Sequence, residues 1–178
     1  MIENSDHLGT HLERWHQRFE RALSFYSDTS QEDGFDLLVP VVVTSAYVEA
    51  LLYMAMQFDG VTVEEGVRKT LTLGMLADRV RQQGELDEAA FIIFKALAEL
   101  RNALVHDLDA RLDMSQIEQI RALLPEPRQE TIQLALRNIL GGVPDDVIVV
   151  LVLEQIGMVA YDHFYKAWQR AAERPSTQ

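Results

Sequence analysis

Residues 86–106, LDEAAFIIFKALAELRNALVH, decide the fold. Apolar side chains recur along this stretch at spacings of three and four residues, which is the period of one face of an α-helix. Neither proline nor glycine, the two residues least suited to a helix interior, interrupts the pattern. The stretch therefore predicts one long amphipathic helix, and its apolar face is formed by Phe91, Phe94, Leu97, Leu100 and Leu104.

Two helices are predicted before this stretch. Thr10 and Glu13 form a capping box ahead of apolar residues at helical spacing, which predicts a helix over about residues 11–27. The segment from Asp36, the expected N-cap, to Phe58 predicts a second helix that is apolar nearly all round, so we expect it to lie centrally. Pro40 complicates the start of that helix, because its missing N–H costs little in the first turn but a proline deeper in the helix would kink it.

Shorter helical segments lie between the second helix and the decisive stretch. Thr62 and Glu65 form a second capping box before a short helix, and a further helix is predicted over about residues 72–83. Gly84 is expected to end the latter in the left-handed conformation that glycine adopts most readily.

Two medium helices are predicted after the decisive stretch. Ser115 with Glu118 marks the start of a short helix, which Pro125 and Pro127 end. Residues 128–140 then carry apolar side chains at helical spacing and predict an amphipathic helix.

The last helix is predicted over about residues 145–173. Pro144 suits a first helical position, and Asp145 and Asp146 suit the positive end of the helix dipole. The β-branched run Val147–Leu153 leaves a strand as the alternative in this region. A lone strand would leave its backbone hydrogen bonds unpaired, because the sequence offers no second convincing strand.

These patterns together predict an all-α fold, a single-domain helical bundle of about six to seven helices. A length of 178 residues is ordinary for one domain, so we expect it to cover residues 1–178, with residues 174–178 as a disordered tail. A hydrophobic content of 48% is enough to form a sizeable core.

Composition narrows the functional classes. The formal net charge of −12 repels nucleic-acid phosphate at long range, which disfavours DNA binding and non-specific coating of RNA but allows a local basic site. The absence of cysteine excludes disulfides and thiolate metal sites. The polar N-terminal residues do not resemble a signal peptide, and no uninterrupted apolar run reaches the roughly 18 residues of a membrane span. We therefore expect a soluble, cytoplasmic protein.

Arg101, Asn102 and His106 form the grouping that most directly suggests chemistry. Asn102 and His106 are one helical turn apart, so the Asn amide can hold one imidazole nitrogen and fix the tautomer. Arg101 and His106 are separated by roughly 7.5 Å along the axis and roughly 140° in rotation, which places them on different faces. The Arg side chain is long, and its parallel N–H donors suit a phosphate.

These residue types suffice for metal-free cleavage of an RNA phosphodiester. A His takes the proton of the 2′-hydroxyl group or protonates the leaving oxygen, and an Arg stabilises the charge of the transition state. One His and one Arg per chain provide few catalytic groups. A two-fold dimer supplies two of each and can bring the diverging helix faces into one cleft. The mechanism therefore predicts a homodimer.

The sequence RNALVH at Arg101–His106 resembles the R-x(4–6)-H motif of HEPN domains. The resemblance covers roughly residues 40–110 and includes Tyr47–Leu52, similar to the family's central helix, and Leu71–Leu76, similar to its LG-x-L stretch. HEPN domains are all-α and commonly dimeric, and many are metal-independent ribonucleases of toxin–antitoxin and other defence systems. The additional helices expected over residues 115–173 have no counterpart in the resemblance.

The resemblance implies roles for the matching positions. Arg101 would bind phosphate, His106 would act as acid and base, and Asn102 would support His106, whereas Glu49 is given no catalytic role. The implied partners are an RNA substrate, a second copy of the chain and a nucleotidyltransferase-type or other antitoxin. No cofactor or metal is expected.

A plainer interpretation of the same residues stays open. Arg101 can pair with nearby Glu99 or Asp107, and His106 can complement the negative end of the helix dipole. The chain would then be a non-catalytic helical regulator or interaction module, similar to mannitol-operon-repressor-like proteins or an inactive HEPN domain.

A metal site at the N-terminal histidines is a weaker alternative. His7 and His11 have the spacing of two ligands on a helix, and His16 follows. Gly9 and Thr10 place His7 outside the helix, and no carboxylate completes a set of three or four ligands. No metal site is therefore predicted.

Overall fold

The computed structural model describes residues 13–24, 38–58, 71–84, 86–106, 112–137, 139 and 142–173. Within these ranges the long regular elements are all α-helices and no strand occurs, so the predicted all-α fold is confirmed. The helices are α1 (residues 13–24), α2 (Leu38–Phe58), α3 (Leu73–Gln82), α4 (Glu88–His106), α5 (Met114–Leu123), α6 (Glu126–Arg137) and α7 (Asp145–Glu173).

Helices α2 and α7 form the centre of the bundle, and their mutual contact is the most extensive in the described chain. Both carry apolar side chains around most of their circumference, so both are stable only when covered on several sides. Leu51 and Leu52 of α2 are fully buried, as are Leu153 and Ile156 of α7. Complete burial of such a side chain contributes about 1.5–3 kcal/mol to the free energy of unfolding.

The remaining helices cover this central pair. Helices α3 and α4 pack on α2 and on each other, α5 packs on α4 and α7, and α6 packs on α7. Helix α1 is held by Phe19, whose ring stacks on Tyr47 of α2 with 4.2 Å between the ring centroids. The same ring lies over Gly157 of α7, where a Cβ atom would collide with it. One aromatic side chain therefore fixes α1 on both central helices.

The long helices lie where their periodicity predicts them. Helix α7 begins at Asp145 and ends at Glu173, and Val147–Leu153 is helical, so the strand alternative is wrong. Helix α4 begins at Glu88 because the Asp87 carboxylate accepts a hydrogen bond of 2.8 Å from the Ala90 N–H and caps the helix. Gly84 has a φ of +75°, which confirms the left-handed conformation predicted at the end of α3.

Two boundaries in the second half of the chain differ from the prediction. The N-cap of α5 is Asp113, not Ser115, because the Asp113 carboxylate accepts hydrogen bonds from both the N–H and the hydroxyl group of Ser115. A carboxylate at this position is also favoured by the helix dipole. Pro127 lies in the first turn of α6 rather than after α5, since a first-turn proline has no N–H to lose. Helix α6 therefore covers Glu126–Arg137 instead of residues 128–140.

Some of the predicted helix ends lie within the described residues and others do not. Helix α2 begins at Leu38, so Pro40 lies in its first turn and does not kink the helix interior. The capping residues Thr10 and Asp36, the segment 59–70 with its short helix and the tail 174–178 lie outside the described residues.

Two of the described helices, Leu38–Phe58 and Asp145–Glu173, are long and apolar enough to cross a membrane by length and composition alone. More than half of the apolar window of each helix is buried inside the bundle, 56% and 61% respectively. The buried core helix of a globular protein passes the same test, so length and composition do not distinguish the two cases.

Candidate functional site

The last turns of α4 place Arg101 beside α2. The preceding residue Leu100 and the following Leu104 are buried, so the Arg side chain leaves α4 at the margin of the core. Its Nη1 atom lies 3.3 Å from Oε1 of Glu49, which makes an ion pair between α4 and α2. The Arg and Glu side chains keep 31% and 26% of their surface exposed, so the pair is half-buried.

A second donor holds the Glu49 carboxylate. The same oxygen, Oε1, accepts a hydrogen bond of 3.0 Å from the backbone N–H of Leu73, the first residue of α3. Burial raises the pKa of Glu49, while Arg101 and the Leu73 N–H act in the opposite direction because both favour the ionised form. One carboxylate therefore ties α2, α3 and α4 together.

A shallow pocket opens next to Glu49. It has a volume of about 210 Å³ and lies between α2 and the start of α3. Its α2 side is a single helix face, because the residues that line it recur at spacings of three and four. The lining residues are Ala46, Glu49, Ala50 and Tyr53 of α2, together with Leu71 and Leu76.

Asn102 and His106 lie on the exposed side of α4, where the helix ends at His106. They are one turn apart, as predicted, but no hydrogen bond joins their side chains in the part of the chain that the structure describes. Arg101 contacts α2 instead, so a single chain does not bring its guanidinium and the His106 imidazole together. The predicted site residues therefore divide between two faces of α4.

The guanidinium of Arg101 is held by Glu49 through one of its three nitrogen atoms. Only Nη1 contacts Glu49, and within the described ranges Nη2 and Nε have no partner. Glu99, an acceptor that the sequence offers, is exposed and does not pair with Arg101, and Asp107 lies outside the described residues. An oriented guanidinium with unused N–H groups can bind a phosphate, since its donors are coplanar and parallel.

Sequence reasoning missed the part that Glu49 plays in this site. Glu49 is the only charged residue of α2, a helix that is otherwise apolar or neutral. A charged side chain in such a helix costs free energy unless it is paired, so its isolation was the available signal. The identity of the partner was not visible, because Arg101 lies on another helix.

No group of three or more His, Cys, Asp or Glu side chains converges as a metal site within the described ranges. His16 contacts α2 instead, with Nδ1 at 2.9 Å from the Tyr47 hydroxyl oxygen. Its Nε2 atom lies 3.2 Å from the Glu20 carboxylate. His16 therefore helps to hold α1 in place, and His7 and His11 lie outside the described residues.

The fold and the site define an all-α helical bundle with an anchored arginine and an exposed histidine near the end of one helix. No family model matches the sequence, and no characterised protein or solved structure matches it either.

Proposed function

We propose that this chain is a HEPN-like, homodimeric endoribonuclease that cleaves RNA without a metal ion. The observation that carries the proposal is the end of α4, where an anchored arginine with unused donors is followed by an exposed asparagine and an exposed histidine. These groups meet the needs of RNA cleavage through the 2′-hydroxyl group. Arg101 binds the phosphate and His106 moves the proton. Asn102, one helical turn from His106, would bond to the imidazole only once RNA is bound.

The reaction moves one proton at each end of the scissile bond. His106 accepts the proton of the 2′-hydroxyl group, the 2′-oxygen bonds to phosphorus, and the bond from phosphorus to the 5′-oxygen breaks. The departing oxygen takes its proton from the imidazolium of the second copy, which leaves a 2′,3′-cyclic phosphate on the upstream fragment. Arg101 donates to the phosphoryl oxygens, where negative charge builds up in the transition state.

We infer a dimer because Arg101 and His106 lie on different faces of α4. Within one chain Arg101 contacts α2 while His106 is exposed, so a second copy has to complete the site. The outward stripe of α4 suits close approach, since Ile92 is 39% exposed and Ala103 is small and exposed. Two such stripes related by a two-fold axis would bring both histidines into one cleft, which the long Arg101 side chains would reach from the margin of each α4.

Cleavage of single-stranded RNA in the presence of EDTA tests this function. Arg101→Ala and His106→Ala should each lower the cleavage rate by at least about 100-fold, because each removes a group that acts on the transition state. Arg137→Ala, which changes an exposed arginine of α6, is the matched control and should cleave at the parent rate. Cleavage that survives both substitutions, or a parent chain that cleaves no RNA, removes the proposal.

A second candidate function is favoured by the ion pair itself. Because Glu49 joins Arg101 to the N–H of Leu73, the arginine also stabilises the packing of three helices. In a non-catalytic helical regulator or interaction module, that is its whole role. Such a chain would lose stability on Arg101→Ala, would be unaffected by His106→Ala and would not cleave RNA.

A further inference from the structure

Among the described residues, the pocket beside Glu49 is lined by small, apolar and aromatic side chains together with the charged group of Glu49. Two alanines of α2 end at Cβ and leave the space open, two leucines close the opposite side, and Tyr53 adds an aromatic ring. Pockets for drug-sized ligands measure about 300–1,000 Å³. A volume of about 210 Å³ instead suits a fragment the size of one nucleobase.

Glu49 offers an unused acceptor to this space. Its Oε1 atom already accepts from the Leu73 N–H and from Arg101, whereas Oε2 has no partner in the described part of the chain. Water reaches this oxygen. A ligand that displaces the water has to replace its hydrogen bond, so a ligand that brings an N–H group is preferred. Arg101 already balances the charge of the carboxylate, which favours a neutral donor over a second cation.

We propose that this pocket binds a guanine base, whose N1–H and N2 amino groups donate hydrogen bonds to the Glu49 carboxylate. The assignment rests on the proposed function, which supplies RNA as the ligand class and places a phosphate of the same strand on Arg101. Proteins select bases of single-stranded RNA by stacking side chains on them and by hydrogen bonds to the Watson–Crick edge. Glu49 is then the residue that determines base specificity.

Guanine fits the carboxylate better than the other bases do. Its Watson–Crick edge carries two adjacent donors, which can share the two acceptor sites of Glu49 Oε2. Cytosine and adenine each offer one amino group to a carboxylate. Uracil has a single N–H between two carbonyl oxygens, and the carboxylate repels both of those oxygens.

Equilibrium binding of GMP, IMP, CMP and UMP to the full chain tests the assignment, with calorimetry as the readout. GMP should bind at least about tenfold more tightly than UMP, because it adds hydrogen bonds to a charged acceptor. IMP lacks the N2 amino group and should fall between them. Equal affinity for all four nucleotides, or tightest binding of CMP or UMP, overturns the guanine assignment.

Two variants locate the bound base. Glu49→Gln keeps the size of the side chain but replaces a charged acceptor by an amide, so it should remove most of the preference for GMP over UMP. Ala50→Leu fills the pocket and should abolish GMP binding, whereas Ala89→Leu, the same change at an exposed position of α4, should leave it unchanged. Thermal unfolding shows that each variant is folded. GMP binding that survives Ala50→Leu overturns the assignment.

Cleavage assays on the parent chain separate this assignment from the nuclease proposal. Cleavage of RNA with no preference for cuts beside guanine, together with unselective nucleotide binding, overturns the guanine pocket and leaves the nuclease proposal intact. Selective GMP binding that depends on Glu49, in a chain that cleaves nothing, supports the pocket and removes the nuclease proposal.

Discussion

Arg101 and Glu49 meet across the interface of α4 and α2, although they are 52 positions apart in the sequence. The contact satisfies a half-buried carboxylate in a helix that has no other charge, and it fixes a guanidinium whose remaining donors can reach a phosphate. Loss of the arginine therefore affects the fold and the proposed chemistry by separate routes. Different substitutions at this position separate the two effects.

Arg101→Ala is expected to lower the free energy of unfolding by about 1 kcal/mol, because it leaves the Glu49 carboxylate with one donor. The loss is smaller than for a fully buried pair, since water reaches both side chains. Urea denaturation measures it. Arg137→Ala, at an exposed position of α6, should change the free energy of unfolding by less than about 0.5 kcal/mol. Equal effects of the two substitutions would show that the ion pair adds nothing to stability.

Arg101→Lys keeps a positive charge beside Glu49 but removes the planar pair of donors. The free energy of unfolding should stay within about 0.5 kcal/mol of the parent value, because a lysine can still pair with the carboxylate. RNA cleavage should fall at least about tenfold, since an ammonium group cannot bind two phosphate oxygens in parallel. Both quantities are measured on one preparation. Full cleavage by the lysine variant would contradict a bidentate role for Arg101.

Helix positions could be predicted from this sequence because the signal is local. The buried faces of α4 and α7 are set by residues three and four apart, so both helices lie within two residues of the prediction. Helical period shows which side of a helix is buried but not which helix covers it. The ion pair of Glu49 with Arg101, and the pocket between Ala50 and Leu71, therefore could not be predicted.

The N-cap preferences of individual residues did not identify the start of α5. Asp113 and Ser115 are both good N-cap residues, so composition does not choose between them. The choice is made by the hydrogen bonds of the Asp113 carboxylate to Ser115, which exist only once the turn has formed. Boundaries of this kind require the folded geometry.

Gly157 leaves the space that Phe19 occupies. A Cβ atom at residue 157 would lie 2.6 Å from Cζ of the Phe19 ring, so Gly157→Ala forces α1 away from α7. We expect the free energy of unfolding to fall by about 1–3 kcal/mol, the usual cost of overpacking. Urea denaturation with circular dichroism measures the loss. Phe19→Leu in the same chain should recover part of it, because the shorter side chain makes room.

Gly74→Ala is the matched control for Gly157→Ala. A Cβ atom at residue 74 would meet Lys95 Nζ at 3.6 Å and Ala98 Cβ at 3.7 Å, which is ordinary van der Waals contact. Alanine in a helix is otherwise favoured over glycine by roughly 0.5–1 kcal/mol, so this variant should be as stable as the parent or more so. Equal destabilisation by both substitutions would rule out the Phe19 contact as the cause.

Glu154 of α7 is a half-buried carboxyl group near Glu20 of α1. Burial raises the pKa of Glu154, and the negative charge of Glu20 raises it further. The folded chain thus holds this proton more tightly than the unfolded chain, so the stabilisation is complete at low pH and is lost as the pH rises through the folded pKa. Glu154→Gln should raise the free energy of unfolding at neutral pH, and the gain should shrink as the pH falls through the raised folded pKa toward the ordinary value of 4.5.

Urea denaturation at a series of pH values measures the effect of Glu154→Gln. Glu130→Gln removes the same charge from an exposed position of α6, so it controls for the change in net charge. It should change the free energy of unfolding little at any pH. A gain from Glu154→Gln of the same size at acidic and neutral pH would show that the buried charge is not its source.

Ile92 tests the proposed dimer, because it lies on the outward stripe of α4 about 21 Å along the helix axis from His106. Ile92→Glu adds one carboxylate to each copy of a face that already carries the exposed Glu99, so it should convert a dimer into a monomer and lower RNA cleavage at least about tenfold. Leu134→Glu, at a side chain that is 59% exposed on α6, should change neither. Light scattering after gel filtration measures the mass. A parent chain that is monomeric would leave Arg101 and His106 on separate faces and remove the catalytic arrangement.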